Sequence, residues 1–203
     1  MLNYKVFNID APHMTESSIF DLYQYKVYIG KNSVSTNNKN SYWYIEDNTV
    51  ISKSGDDSII DSGILCIEIF GYTPETRTST YSRYTDLPYI NGCSSKQLIP
   101  PNRLGDPTWQ LLLLPQHTSE QSHHIHSTAR IVYVAEGEGK SIIGQDGHTT
   151  EINLTPGTVI ILDKMVPHHF VTTDSHLLVL PLHVYSSVAG ETTHPMRSGT
   201  HEI

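Results

Sequence analysis

The chain has little that would tie it to a membrane, a nucleic acid or an oxidising compartment. No apolar run approaches the roughly 20 residues that a bilayer-spanning helix needs. The longest, such as Val159-Ile160-Ile161-Leu162, stop after a few residues. The opening MLNYKVFNIDAPH holds no apolar secretory core. Lys and Arg number 13 against 21 Asp and Glu, for a net charge of −8, and the basic residues form no run. Nucleic acid and anionic membranes are therefore not expected as partners. The two cysteines, Cys66 and Cys93, form no CxxC and lie away from the histidines, which suits a reducing compartment. The expectation is a soluble, cytoplasmic protein. Long amphipathic helices are missing too; Ser17 to Lys26 is the one short helix candidate. There is no internal repeat and no extended low-complexity segment.

Histidine is present in quantity and unevenly placed. Of 12 histidines only His13 precedes residue 117, whereas ten of the 12 tyrosines precede residue 100. The composition changes near Pro100-Pro101. Hydrophobic residues, at 37%, are enough for a packed core.

Short β-rich runs separated by Gly, Asn, Asp and Pro dominate. In the first half they are Lys26–Gly30, Ser41–Glu46, Thr49–Ser52 and Ile64–Tyr72. Asn32–Asn40 reads as an exposed loop, and Thr73–Gly105, without clear periodicity, as a long loop or wrapping arm. From residue 108 the strand candidates follow closely: Trp109–Leu114, His123–His126, Arg130–Glu136, Lys140–Gly144, Thr149–Leu154, Val159–Leu162, His169–Thr173 and His176–Val184. Many short strands with tight turns predict an all-β antiparallel sandwich or barrel.

In His123-His124-Ile125-His126, alternation puts His124 and His126 on one face and His123 on the other. Two imidazoles at i and i+2 can grip one metal ion, with His168 or His169 supplying a third ligand. An isolated pair of this kind is also common as hydrogen-bonded strand histidines.

The wider pattern resembles the cupin family. His124-x-His126 is followed by three residues, Arg130, and six residues to Gly137; Gly157 is followed by five residues, Asp163-Lys164-Met165, Val166-Pro167 and His168. The resemblance covers about residues 108–185. It implies a double-stranded β-helix, or jelly roll, holding a metal inside the barrel, with His124, His126 and His168 as ligands and His123 and His169 as bystanders. The implied cofactor is one divalent ion: iron first, with zinc, nickel or manganese as alternatives. The implied organisation is a β-rich extension over 1–107, a degenerate second cupin half or added strands; the cupin barrel over 108–185; and a tail over 186–203, frayed or covering the barrel mouth or a dimer partner.

The departures from the family pattern matter. Arg130 stands in the slot of the usual Glu ligand, Asp163 and Met165 replace Pro and Gly, and Thr172 replaces Asn. A guanidinium has no lone pair for a metal. Further ligands would have to come from Glu120, Gln121, Gln110 or Tyr133; Tyr133 faces away from Arg130 by parity and suits core packing instead. Arg130 has two readings: a catalytic-site cation pairing with a carboxylate or phosphate, or a structural ion pair with Glu136, Glu138 or another acid near the barrel. The function expected first is an oxygenase or dioxygenase acting on a small anionic molecule. A non-redox isomerase, epimerase or lyase, and a non-catalytic binding module, are the alternatives. A homodimer is expected, because edge strands need covering.

Overall fold

In a computed structural model of the chain, residues 4–18, 24–102, 105–145, 147–184 and 200–202 are described. Regular structure among them is strand, apart from one 3-10 turn at Ile90–Gly92. The first strands are β1 (Tyr4–Asn8), β2 (His13–Glu16), β3 (Tyr25–Ile29), β4 (Asn32–Ser35), β5 (Ser41–Glu46), β6 (Thr49–Ser54), β7 (Ile59–Ser62), β8 (Leu65–Ile69) and β9 (Arg77–Thr80). Then come β10 (Leu87–Pro88), β11 (Ser94–Ile99), β12 (Thr108–Leu114), β13 (His124–His126), β14 (Arg130–Gly137), β15 (Gly139–Gln145), β16 (His148–Leu154), β17 (Thr158–Leu162), β18 (His168–Val171), β19 (Leu177–His183) and β20 (Thr200–Glu202). The chain divides into two compact units, Phe7–Ser82 and Met1–Val6 with Arg83–Ile203.

In the Phe7–Ser82 unit, a six-stranded sheet runs β2-β3-β8-β5-β6-β9, and β4 pairs with β7. Alternation sends Val27, Ile29, Leu65, Ile67, Trp43 and Ile45 to one buried face. On the other face Tyr42 and Cys66 pack with Val34 and Ile60, flanked by Tyr28 and Tyr44. Glu68 is buried there too, and accepts hydrogen bonds from the Tyr28 hydroxyl (3.0 Å), the Tyr42 hydroxyl (2.9 Å) and Asn40 Nδ2 (2.6 Å). A buried carboxylate is tolerable only when its oxygens are satisfied in this way. Part of the tyrosine in this half is thus an inward hydrogen-bonding shell.

In the other unit, a seven-stranded sheet runs β1-β17-β14-β19-β12-β11-β10 and a five-stranded sheet runs β16-β15-β18-β13-β20. Leu112, Leu114, Val132, Val134 and Val179 of the first sheet pack with Ile143 and Phe170 of the second, forming one interior cluster. This is the expected all-β jelly roll. Along β14 the even positions Val132 and Val134 point into that cluster, while Tyr133 is buried outside it.

Several expectations are corrected. Thr73–Gly105 is not a structureless arm: it contains β9, β10, the 3-10 turn and β11. β11 pairs along β12 from Ser94↔Leu113 onward, so the sheet carrying the barrel begins before residue 108. Polar Ser94-Ser95-Lys96-Gln97 hid that strand, although Ser95 is buried. Asn32–Ser35 is strand β4 rather than loop. The helix expected at Ser17–Lys26 is contradicted where it can be read, since Tyr25 and Lys26 belong to β3; residues 19–23 lie outside the described residues. So does the tail over 186–199, beyond which β20 pairs with β13.

Candidate metal centre

β13 is only His124-Ile125-His126, with both histidines buried. β18 opens on His168, placed directly across from His124 by the antiparallel register. The inward pleats of the two strands therefore gather three imidazoles, one ring nitrogen from each lying within 4.8 Å of the others. His124 Nε2 and His126 Nε2 are 3.1 Å apart.

Hydrogen bonds fix two of the tautomers. His124 Nδ1 meets the Ser122 carbonyl at 3.0 Å and His168 Nδ1 meets the Val166 carbonyl at 2.8 Å. A carbonyl only accepts, so both Nδ1 atoms carry the proton and both Nε2 atoms keep a lone pair. Burial holds the imidazoles neutral. It pulls His124 down to about 4, against a smaller opposing effect of the Ser122 carbonyl, and takes His126 and His168 well below the usual value.

The other member of each doublet faces outward. His123 and His169 are half-buried and pair with each other, Nδ1 to Nδ1, at 2.8 Å; His123 Nε2 donates to the Gly144 carbonyl.

Arg130 is buried on β14, with His183 opposite it on β19. Its guanidinium donates to Thr128 Oγ1. Of the named acids, Glu136 takes Arg83 at 2.6 Å and Glu138 is exposed, which leaves Glu120 as the acid near the barrel that Arg130 meets. Burial lowers the Arg130 pKa, and the acid that offsets this is Glu120.

Glu120 is 3% exposed. Its backbone N–H donates to the Phe170 carbonyl at 3.0 Å, and its Oε2 accepts from the Phe170 N–H at 3.3 Å. Its Oε1 lies 3.6 Å from His124 Nε2. Burial pushes Glu120 up to about 8, opposed by the Phe170 N–H and Arg130. The other groups named for this role sit differently. Gln121 Oε1 accepts from the Tyr89 hydroxyl at 2.5 Å and Gln110 Nε2 donates to Gln97 Oε1 at 3.2 Å, while Tyr133 lies outside the interior cluster. Gln121 Nε2 and Gln110 Oε1 are buried without a hydrogen-bond partner in the protein.

Sequence reasoning missed His183. It is buried, its ring centroid lies 6.3 Å from that of His126, and its Nε2 has no hydrogen-bond partner. Only the β14–β19 register brings it beside Arg130. The loop before β18 is tied to β13 by Met165, whose N–H donates to the His126 carbonyl at 2.7 Å. Neutral imidazoles with Nδ1–H fixed by carbonyls, and a carboxylate alongside, form a donor set that fits a divalent first-row metal.

Residues 110–185 match the family model described as Cupin domain. No curated protein sequence matches the chain. Among solved structures it is similar to the cupin 2 conserved barrel domain protein from Leptotrichia buccalis, at 14% identity and TM-score 0.61, covering 89% of this chain and 96% of that one. It is also similar to the putative glyoxylate induced protein from Pseudomonas aeruginosa, at 11% identity and TM-score 0.59, covering 95% and 93%. A third similar structure is protein Ylba from E. coli, at 10% identity and TM-score 0.57, covering 93% of each chain. These likenesses span both compact units and show a shared fold, and the domain match contains the three inward histidines, Glu120 and Arg130: residues 110–185 form a cupin domain.

Proposed function

We propose that this chain is a metal-dependent cupin enzyme that acts on a small anionic molecule, with dioxygen-dependent chemistry at an iron centre as its activity. The observation that carries this reading is the convergence of three buried, neutral imidazoles beside a buried guanidinium. A metal bound by His124, His126 and His168 would supply Lewis acidity and, if iron, the means to activate dioxygen. Arg130 has no ligand role, but its planar fork suits a carboxylate or phosphate. A divalent charge plus Arg130 exceeds the single negative charge that Glu120 can supply. That excess favours an anionic substrate in a water-poor interior. The interior donors and acceptors left over, on Gln110, Gln121 and His183, would orient the rest of that molecule.

The test is metal analysis of protein purified without chelator, then oxygen uptake by the iron-loaded form over a panel of small carboxylates and phosphate esters. One divalent ion per chain and substrate-stimulated uptake are expected. Turnover with zinc or nickel and no oxygen demand would move the protein to the isomerase, epimerase or lyase class. Absence of any stoichiometric divalent ion would overturn the reading. Arg130→Lys keeps the charge and loses the fork, so affinity for the active anion should fall about tenfold, the equivalent of about 1.4 kcal/mol.

A further inference from the structure

We infer that the metal centre takes its carboxylate ligand from Glu120, in the loop ahead of β13, and not from the β14 position that Arg130 fills. The inference rests on the proposed metal centre and concerns which side chains complete it.

Three features support it. The first is a convergence of lone pairs. His124 Nε2 carries no proton, because Nδ1–H is committed to the Ser122 carbonyl. Glu120 Oε1 faces it at 3.6 Å, too far for a hydrogen bond. His124 Nε2, His126 Nε2 and Glu120 Oε1 thus converge on one buried space, where a metal ion would replace the 3.1 Å hydrogen bond between the two rings. The second is spacing. Four-coordinate bonds of roughly 2.0–2.2 Å put donor atoms about 3.4 Å apart. The His124–His126 separation of 3.1 Å and the His124–Glu120 separation of 3.6 Å lie on either side of that value, while the three imidazole nitrogens spread to as much as 4.8 Å and would have to draw in, with Glu120, around a metal. The third is rigidity. Glu120 is stitched to Phe170 through its own N–H and through Oε2, and Phe170 lies on β18 two residues beyond His168. The carboxylate is therefore held by the strand that supplies one imidazole and lies 3.6 Å from His124 on the strand that supplies the other two. Oε2 is used by that tie and Oε1 is left for the metal, as ligating carboxylates are commonly oriented through their second oxygen.

The rival role for Glu120 is charge balance for Arg130 alone. Cobalt(II) titration of the wild type, Glu120→Gln and Glu120→Asp separates the two, with affinity and the visible absorption bands as readouts. Glu120→Gln keeps the volume and removes the anionic donor. Glu120→Asp keeps the charge but withdraws it by a methylene. The inference expects both variants to lose tenfold to a hundredfold in cobalt affinity and to change the absorption bands. Charge balance alone expects Glu120→Asp to bind like the wild type, and that result would overturn the inference, as would an unchanged spectrum in Glu120→Gln. A wild type that takes up no cobalt would remove the metal centre itself and this inference with it. Should the variants fail to fold, a crystal structure of the zinc-loaded wild type decides: Glu120 Oε1 within about 2.2 Å of zinc supports the assignment, and water in its place overturns it.

Discussion

Met165 holds a backbone conformation that its own side chain opposes. Its φ is +64°, in the left-handed region, at the place where the family pattern has glycine. A Cβ there costs roughly 1–2 kcal/mol. The conformation is kept because the Met165 N–H must reach the His126 carbonyl, so the strain sits one hydrogen bond away from the imidazole cluster. The side chain is 54% exposed and contributes little packing. Met165→Gly should therefore raise stability by about 1 kcal/mol, the left-handed relief less the added freedom of the unfolded chain. Urea unfolding checks this; a lower midpoint would show that the side chain is needed. The doublets give a second comparison. His124→Ala, His126→Ala and His168→Ala should each cut metal occupancy and abolish the rise in melting temperature on metal addition. His123→Ala and His169→Ala, which break the outward pair and, for His123, the bond to the Gly144 carbonyl, should leave occupancy near wild type. Equal losses at His123 and His124 would contradict the inward and outward assignment.

At the scale of the element, β14 shows how tightly the site is framed. Gly137 ends it at φ +76°, and a Cβ built there would lie 1.8 Å from the His176 carbonyl oxygen on the way into β19. Gly137→Ala should cost about 3 kcal/mol or more, because backbone has to move, and thermal unfolding should show a correspondingly large drop. A neutral Gly137→Ala would mean that the turn is slack. Such constraints explain what could be read in advance. Strands from Trp109 to His183 announce themselves because apolar alternation and Gly-containing turns coincide, and Arg130 was placed inward by parity alone. β4 and β11 escaped because Ser, Asn, Lys and Gln are common to loops and to strands whose polar atoms are satisfied by neighbours. His124 and His126 were legible because their spacing is local, whereas His168 was chosen over His169 only through the family resemblance. His183 was not, since its approach to Arg130 depends on a pairing between segments far apart in sequence. Glu120 could be named as a nearby acid, but its fastening to Phe170 is a property of the folded loop.

At the scale of the whole molecule, the imidazoles shifted by burial lie in one unit and a cluster of shifted phenols lies in the other. The unit holding the site buries imidazoles. His124 is near 4, below its usual 6.5, and His126, His168 and His183 are lowered as well, all by burial first. Unfolding then lets these imidazoles take up protons, so their contribution to the stability of the metal-free protein should be present above pH 6.5 and be lost as pH falls toward 4. The Phe7–Ser82 unit buries phenols. Tyr28 and Tyr44 are raised, and Tyr42 is raised from 10.0 to about 12, in each case first by burial. Their contribution is present below pH 10 and is lost as pH rises through about 12. The chain has two tryptophans, Trp43 in the phenol-rich unit and Trp109 on β12 of the other, both fully buried. Each unit thus contains a single tryptophan shielded from water. In Trp43→Phe the tryptophan emission comes from Trp109, and its shift to longer wavelength should follow acid and be delayed by added metal. In Trp109→Phe the remaining Trp43 signal should follow alkali and ignore the metal. Identical acid curves from the two variants would show that the units melt as one body.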